Sequence, residues 1–405
     1  MQKLISFLMG LVVFILPFQR HLEGRIYQIA VFCIVLVLFI SAFSSPGVRP
    51  IAAKFWILSA FLIPVAGLFS GTSSNVEDSF TVSILFAAMF GCAPFALARS
   101  ARGRKTGTWL VICFLSSQSI SALVGLTSMA GVVIVEDGVM NDRAAGLAGH
   151  PNRLGFMALC AVLLTVALLL RRGAKPTVLL TGVALINFAA LLATGSLSAI
   201  SSTLVGLLLL SYIHRRHIGK LLPGVLLLAV ALSMLPKFHA IYLSAVQFIA
   251  NRFVTVTESS GGASSINVRR DTYTFALERI RSDPFLGVGM DSTNAVTDDG
   301  KTVVHNYLLH AWFQGGILLL FVFLGASIIA IYILFQTLKN KELWGFSASL
   351  GVACLVFAST SAWFVEQFYW IPLLTAIATF GISKNMDSMV LESDMVNGRT
   401  AGKDK

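Results

Sequence analysis

Residues 303–336 read VVHNYLLHAWFQGGILLLFVFLGASIIAIYILFQ, with no Asp, Glu, Lys or Arg anywhere in the run. The stretch exceeds the roughly 20 residues that carry a helix across a bilayer. It decides the fold class, because runs of the same kind recur along the chain. Hydropathy places about twelve spans, near 3–18, 26–44, 51–69, 80–98, 108–134, 153–170, 177–195, 197–213, 221–236, 307–336, 346–364 and 370–383. The stretch 107–134 is longer than a span needs and is expected to tilt or break at its Gly125 and Gly131. The expected fold is an all-α polytopic membrane protein. Spans one to nine fill residues 1–236 and the last three fill 306–383, with a partly helical periplasmic loop, 237–305, between the ninth and tenth.

Composition agrees. Hydrophobic residues make up 56% and charged residues 12% of the chain, about half the charge of a soluble domain. The net charge of +11 is placed by topology. Lys and Arg gather in the short loops Arg49–Lys54, Arg99–Lys105, Arg171–Lys175, His214–Lys220 and Lys339–Lys341, which alternate with acidic or nearly uncharged loops. That is the positive-inside pattern. It puts both termini in the cytoplasm and argues against nucleic-acid binding. Only Arg20 and Arg25, in the first turn, run against it. Leu4–Phe18 lacks a small-residue cleavage site and reads as a retained signal anchor. Residues 384–405 read as a disordered cytoplasmic tail. All five cysteines (Cys33, Cys92, Cys113, Cys160, Cys354) fall inside spans, so no disulfide within the long loop is expected.

Two outward segments hold the residues able to do chemistry. The long loop carries seven basic and seven acidic residues. Loops of this length are usually functional or disordered, and its internal helical pattern favours function. A helix is expected from Asn267, as N-cap, to about Ser282, with Arg269, Tyr273, Ala276 and Ile280 on one face. Arg269 and Arg270 in its first turn would make an anion site beside free backbone N–H groups; a solvated basic patch offset by Asp271 fits the residue types equally well. After the Gly-rich turn Pro284–Gly289, His305-Asn306 opens the tenth span. Gly316, eleven residues on, is expected on the face of His305, while His310 lies about 140° away at 100° per residue. An interfacial histidine suits a general base, with an ordinary pKa of about 6.5, or simply holds a structural hydrogen bond. In the shorter loop, Arg143 precedes Gly149-His-Pro-Asn152, where Pro151 suits a first helical position. This is either a second anion-friendly element or a turn before a span. No HExxH, Walker lysine or Asp-rich cluster is present, so no metal or other cofactor is expected. Asp298-Asp299 and Glu366-Gln367 are weaker candidates, of a kind more usual in solvated turns.

Together these stretches resemble the O-antigen ligase and Wzy-type polysaccharide polymerase superfamily. Arg143-x-x-Gly-x-x-x-His-Pro-Asn152 is similar to the family's first external motif. Arg269-Arg270 with Tyr273-x-x-Ala-Leu-x-x-Ile and Pro284-Phe-Leu-Gly-Val-Gly resembles its Arg…Trp…Pro-Leu-x-Gly-x-Gly stretch. His305-Asn306, nine residues, then Gly316 is similar to the ligase pattern. The chain departs at Ser196-Leu197, where the family often has Ser-Arg, at Tyr273 for Trp, and at Leu319, where ligases favour Gly, Thr or Tyr. The resemblance implies a metal-independent glycosyltransferase of the bacterial inner membrane, acting on its periplasmic face. Its donor would be an undecaprenyl-diphosphate-linked glycan and its acceptor a saccharide, with a chain-length regulator as a further partner. It implies His305 as the base and Arg143, Arg269 and Arg270, with Asn152 and Asn306, as the diphosphate and substrate contacts. Polymerase is the preferred reading, with ligation to lipid A-core next. A flippase of lipid-linked sugars is the alternative of another class.

Overall fold

The computed structural model describes residues 2–15, 52–70, 76–92, 104–171, 178–215, 265–291, 303–339 and 345–361, with short pieces between 18 and 40, at 95–96 and between 247 and 254. Most of the expected span 26–44, the spans 221–236 and 370–383, the remaining parts of the long loop, Asp298-Asp299, Glu366-Gln367 and the tail lie outside them. Helices α1 (Gln2–Ile15), α2 (Ala53–Ser70), α3 (Val76–Ala87, then a π turn Ala88–Cys92) and α4 (Arg104–Met129) come first. A two-stranded ribbon follows, β1 (Val139–Met140) against β2 (Arg143–Ala144). Then come α5 (Pro151–Arg171), α6 (Val178–Ala193), α7 (Leu197–Ile213), α8 (Ser265–Ser282), α9 (Tyr307–Lys339) and α10 (Gly345–Ala358). Four stretches, Ala53–Ser70, Thr108–Met129, Pro151–Leu170 and Tyr307–Leu338, are long and apolar enough to cross a membrane. Shorter apolar helices accompany them at Ser6–Ile15, Val178–Ala193, Leu197–Ile213 and Phe346–Ala358. The protein is a helical membrane protein.

Helix α5 is the hub. Its residues from Phe156 to Leu163 are all buried, as expected of a helix that is apolar all round. It packs against α4, α6, α7 and α10. A second focus joins Trp56 of α2, Phe86 of α3, Phe90 and Phe323 of α9, with ring centroids 5.3–5.9 Å apart along the chain of contacts. Lipid association gives helices no hydrophobic drive toward each other, so close packing of this kind holds the bundle. The outer faces stay apolar, with Phe61, Leu208, Phe321 and Phe335 exposed.

Helix α4 runs through Gly125 without interruption and ends at Met129, before Gly131. Of the two glycines at which a tilt or break was expected, Gly125 lies inside the helix and Gly131, at φ 87°, just past its end. Gly125 admits the connecting loop, since a Cβ on it would sit 3.2 Å from the Gly146 nitrogen and 3.1 Å from Leu154.

Helix α8 lies on the first turns of α9 and builds a small core of its own. Ala276, Ile280, Val304 and Phe313 are buried there, flanked by Tyr273, Phe275, Val288, Leu309 and Trp312. The i, i+4, i+7, i+11 face read from the sequence is therefore the packed one. Helix α9, at 33 residues, would reach about 50 Å at 1.5 Å per residue if it were continuous. It is not. Gly316 breaks it at φ 63° and ψ −160°, a backbone region essentially reserved for glycine. Into the break runs the Gly-rich turn: Val288 N–H donates to Phe313 O (2.9 Å), Gly289 N–H to Gln314 O (3.0 Å) and Ile317 N–H to Phe285 O (3.2 Å). The expected face shared by His305 and Gly316 assumed one unbroken helix that included both residues. His305 precedes the helix and Gly316 interrupts it, so the wheel does not connect them.

Candidate active site

Helix α9 begins at Tyr307 because Asn306 caps it. The Asn306 Oδ1 accepts from the N–H groups of Leu308 and Leu309, both at 3.1 Å, which satisfies two of the orphan donors at a helix start. Its Nδ2 donates to Ser359 O (3.3 Å), just past α10. The Asn306 carboxamide is thus engaged in the fold at both ends.

His305, immediately before this cap, is half-buried. Its Nδ1 lies 2.7 Å from Val303 O. A carbonyl only accepts, so Nδ1 carries the proton and Nε2 keeps the lone pair. Burial, and then the nearby Arg269 guanidinium, push the imidazole below its ordinary pKa, against the opposing effect of the Val303 bond. The ring therefore stays neutral, with a basic nitrogen, at neutral pH.

Arg269 reaches this place from α8. Helix α8 starts at Ser265, two residues before the expected cap at Asn267. The free N–H groups of a helix belong to its first four residues, so Arg269 and Arg270 stand just past them, in the second turn. The expected pairing of both arginines with free amides is corrected accordingly. The two also diverge. Arg269 is half-buried and near His305, whereas Arg270, about 100° round the helix, is exposed. One turn after Arg269, the Tyr273 hydroxyl donates to His305 O at 2.8 Å. Burial raises the Tyr273 pKa and Arg269 opposes the rise, which keeps the phenol protonated as a donor. In the sequence Tyr273 belongs to the apolar face and to the family-like stretch, where it stands for Trp, with no partner indicated for its hydroxyl. The signal is the hydroxyl itself, since a buried phenol needs a partner.

Arg143 forms a second cluster. On β2, its Nε donates to Thr194 O (2.6 Å) and its Nη2 to Asn152 Oδ1 (3.1 Å). Asn152 N–H in turn donates to His150 Nδ1 (3.1 Å), and Pro151 takes the first helical position of α5 as its fixed φ suggests. The guanidinium thus ties the ribbon, the α5 start and the Thr194–Ser196 turn together. The two clusters occupy the same end of the bundle. Asn306 reaches Ser359, two residues on from Phe357, whose ring packs 4.8 Å from Phe156, one turn into α5 from Asn152. Among the described residues, no group of three or more His, Cys, Asp or Glu side chains gathers.

Residues 182–324 match the O-antigen ligase family. This stretch of the chain is similar to an O-antigen ligase domain. It runs from within α6 to the middle of α9, so it holds Arg269, Arg270, Tyr273, His305 and Asn306, while Arg143 and Asn152 precede it. The match supports the resemblance of its motifs to the O-antigen ligase and Wzy-type superfamily, and with it a membrane function of the ligase or polymerase type. No curated protein matches the chain.

Proposed function

We propose that this protein transfers a glycan from undecaprenyl diphosphate to a saccharide hydroxyl on the outer face of the bacterial inner membrane, most directly to polymerise a surface polysaccharide or exopolysaccharide. The observation that carries the reading is the His305 ring, its Nδ1 held 2.7 Å from Val303 O and its Nε2 left as a base beside Arg269. His305 takes the proton of the acceptor hydroxyl as the oxygen attacks the anomeric carbon. The glycosyl–phosphate bond breaks, and the diphosphate leaves with the electron pair. Arg269, with Arg270 and Arg143, offsets the charge growing on that leaving group. Asn152 holds Arg143, and Asn306 sets where His305 stands. No metal is required in this scheme, and the apolar spans hold the polyprenyl chain.

Ligation to lipid A-core stays the second reading, because the matching family is the ligase one. Deleting the gene separates them. Single repeat units left on carrier or core indicate a polymerase, and finished long chains left on the carrier indicate a ligase. His305→Ala, expressed at the normal level, is expected to reproduce the deletion. Polymer of normal length and amount in that variant would refute the mechanism; movement of lipid-linked sugar in vesicles without new glycosidic bonds would indicate a flippase.

A further inference from the structure

His310 lies one turn into α9 and is buried, at 2% exposure. The sequence puts it far round the helix from His305, but His305 precedes the helix and the two rings lie close enough to interact electrostatically. They are also connected through the backbone. His310 Nδ1 lies 3.1 Å from Val304 O, the carbonyl of the peptide bond that joins Val304 to His305. The flanking carbonyls are fixed too: Val303 O by the His305 ring itself at 2.7 Å, and His305 O by the Tyr273 hydroxyl at 2.8 Å. Three successive carbonyls, 303 to 305, thus each accept from a different side chain. These residues lie just ahead of the helix, and the capped turn after them begins with the Asn306 side chain.

The other nitrogen of His310, Nε2, meets the Gln314 carboxamide at 2.7 Å and, with Nδ1 as the donor to Val304 O, accepts there from the amide NH2. Gln314 is fully buried, its carboxamide beside Asp291 just past the Gly-rich turn. The ring is therefore held from both sides and its plane is set. Since Val304 O only accepts, Nδ1 of His310 is the donor.

We infer that His310 is a positioning residue: through its Nδ1–H bond to Val304 O, and together with Tyr273 on His305 O, it fixes the peptide units that aim the His305 imidazole. This rests on the proposed role of His305 as base. The physical reason is that His305 lies outside the helix. Its backbone has no ladder of its own to hold it, and a catalytic group displaced by 1 Å can lose about a hundredfold in rate. Side chains supply the missing constraint. Losing His310 would let the 304–305 peptide rotate and release the His305 Nδ1 bond to Val303 O, which scrambles the tautomer that leaves Nε2 basic.

Two amides separate this role from simple packing. In His310→Asn the side-chain NH2 stands where Nδ1 stood and still reaches Val304 O. In His310→Gln the amide extends toward the Nε2 position and does not. The first readout needs no substrate: the pH dependence of diethyl pyrocarbonate modification at His305, followed by mass spectrometry on the full chain in detergent. Expected is a wild-type profile in His310→Asn and a displaced one in His310→Gln. The second readout is transfer in proteoliposomes, using lipid-linked oligosaccharide extracted from a strain deleted for the gene. There His310→Gln is expected to lose about a hundredfold in kcat at unchanged KM for the donor, with His310→Asn retaining most of it. Identical modification profiles and rates for the two variants would overturn the inference, as would a loss confined to KM. If His305→Ala stays active, the base assignment fails. The modification profiles still decide whether His310 positions that ring.

Discussion

Replacing Gly316 by alanine puts the fold of the site to its hardest test. Gly316 has φ 63° and ψ −160°, and a side chain in that region costs about 1–3 kcal/mol of backbone strain. A Cβ there would also collide with the Phe285 carbonyl oxygen and stand 2.6 Å from the Phe285 carbonyl carbon and 2.7 Å from that of Leu286. These are backbone atoms, so the neighbour has no flexible end to swing away. The turn would have to move, breaking the Ile317 N–H to Phe285 O bond and losing about 1 kcal/mol more. The sum is about 2–4 kcal/mol of local stability, or roughly a thirtyfold to thousandfold fall in the closing equilibrium at 1.4 kcal/mol per factor of ten. Hydrogen exchange of the purified protein reads this directly. Protection at the Val288, Gly289 and Ile317 amides is expected to drop by about that factor, while helix α5 keeps its protection. Gly182→Ala, in α6, is the control, because a Cβ there meets nothing within 4 Å. If Gly316→Ala leaves those three amides protected as before, the break in α9 is not held by the Gly-rich turn and the packing account is wrong.

Other outcomes follow from the two clusters. Arg143→Lys cannot make both the Thr194 O and the Asn152 Oδ1 bonds from one ammonium; the loss is about 2 kcal/mol, read as faster exchange of the neighbouring Ala144 and Ala145 amides. Asn306→Ala removes an N-cap worth about 1 kcal/mol and the tie to Ser359, so thermal unfolding in detergent should begin at lower temperature; Asn306→Asp, which keeps the acceptor, should recover most of the cap. For pH, the active imidazole is neutral, so activity is lost as pH falls through its pKa. Burial and then Arg269 hold that pKa down; Arg269→Ala should therefore move the acidic limb of kcat/KM to higher pH, and an unmoved limb would dissociate Arg269 from the base.

The sequence alone determined that the chain is a membrane protein, because length and apolarity of a run are local properties and the bilayer reads them directly. It also determined the packed face of α8, since a helical period of 3.6 puts Tyr273, Ala276 and Ile280 together whatever covers them. The same locality explains Pro151 at the start of α5. Where the tertiary structure decided, the reason was that backbone groups far apart in sequence had to satisfy one another. Gly316 looked like a helix-face glycine until the turn at 284–289 claimed its carbonyl neighbours. Arg269 was legible on the apolar face of α8, but that this face meets α9 and brings Arg269 near His305 came only from the fold. His310 looked unrelated to His305 because a wheel assumes one helix for both, whereas the fold sets His305 ahead of the helix and lets His310 hold the Val304 carbonyl. Periodicity can place residues on a face; only the folded chain shows which carbonyls they hold.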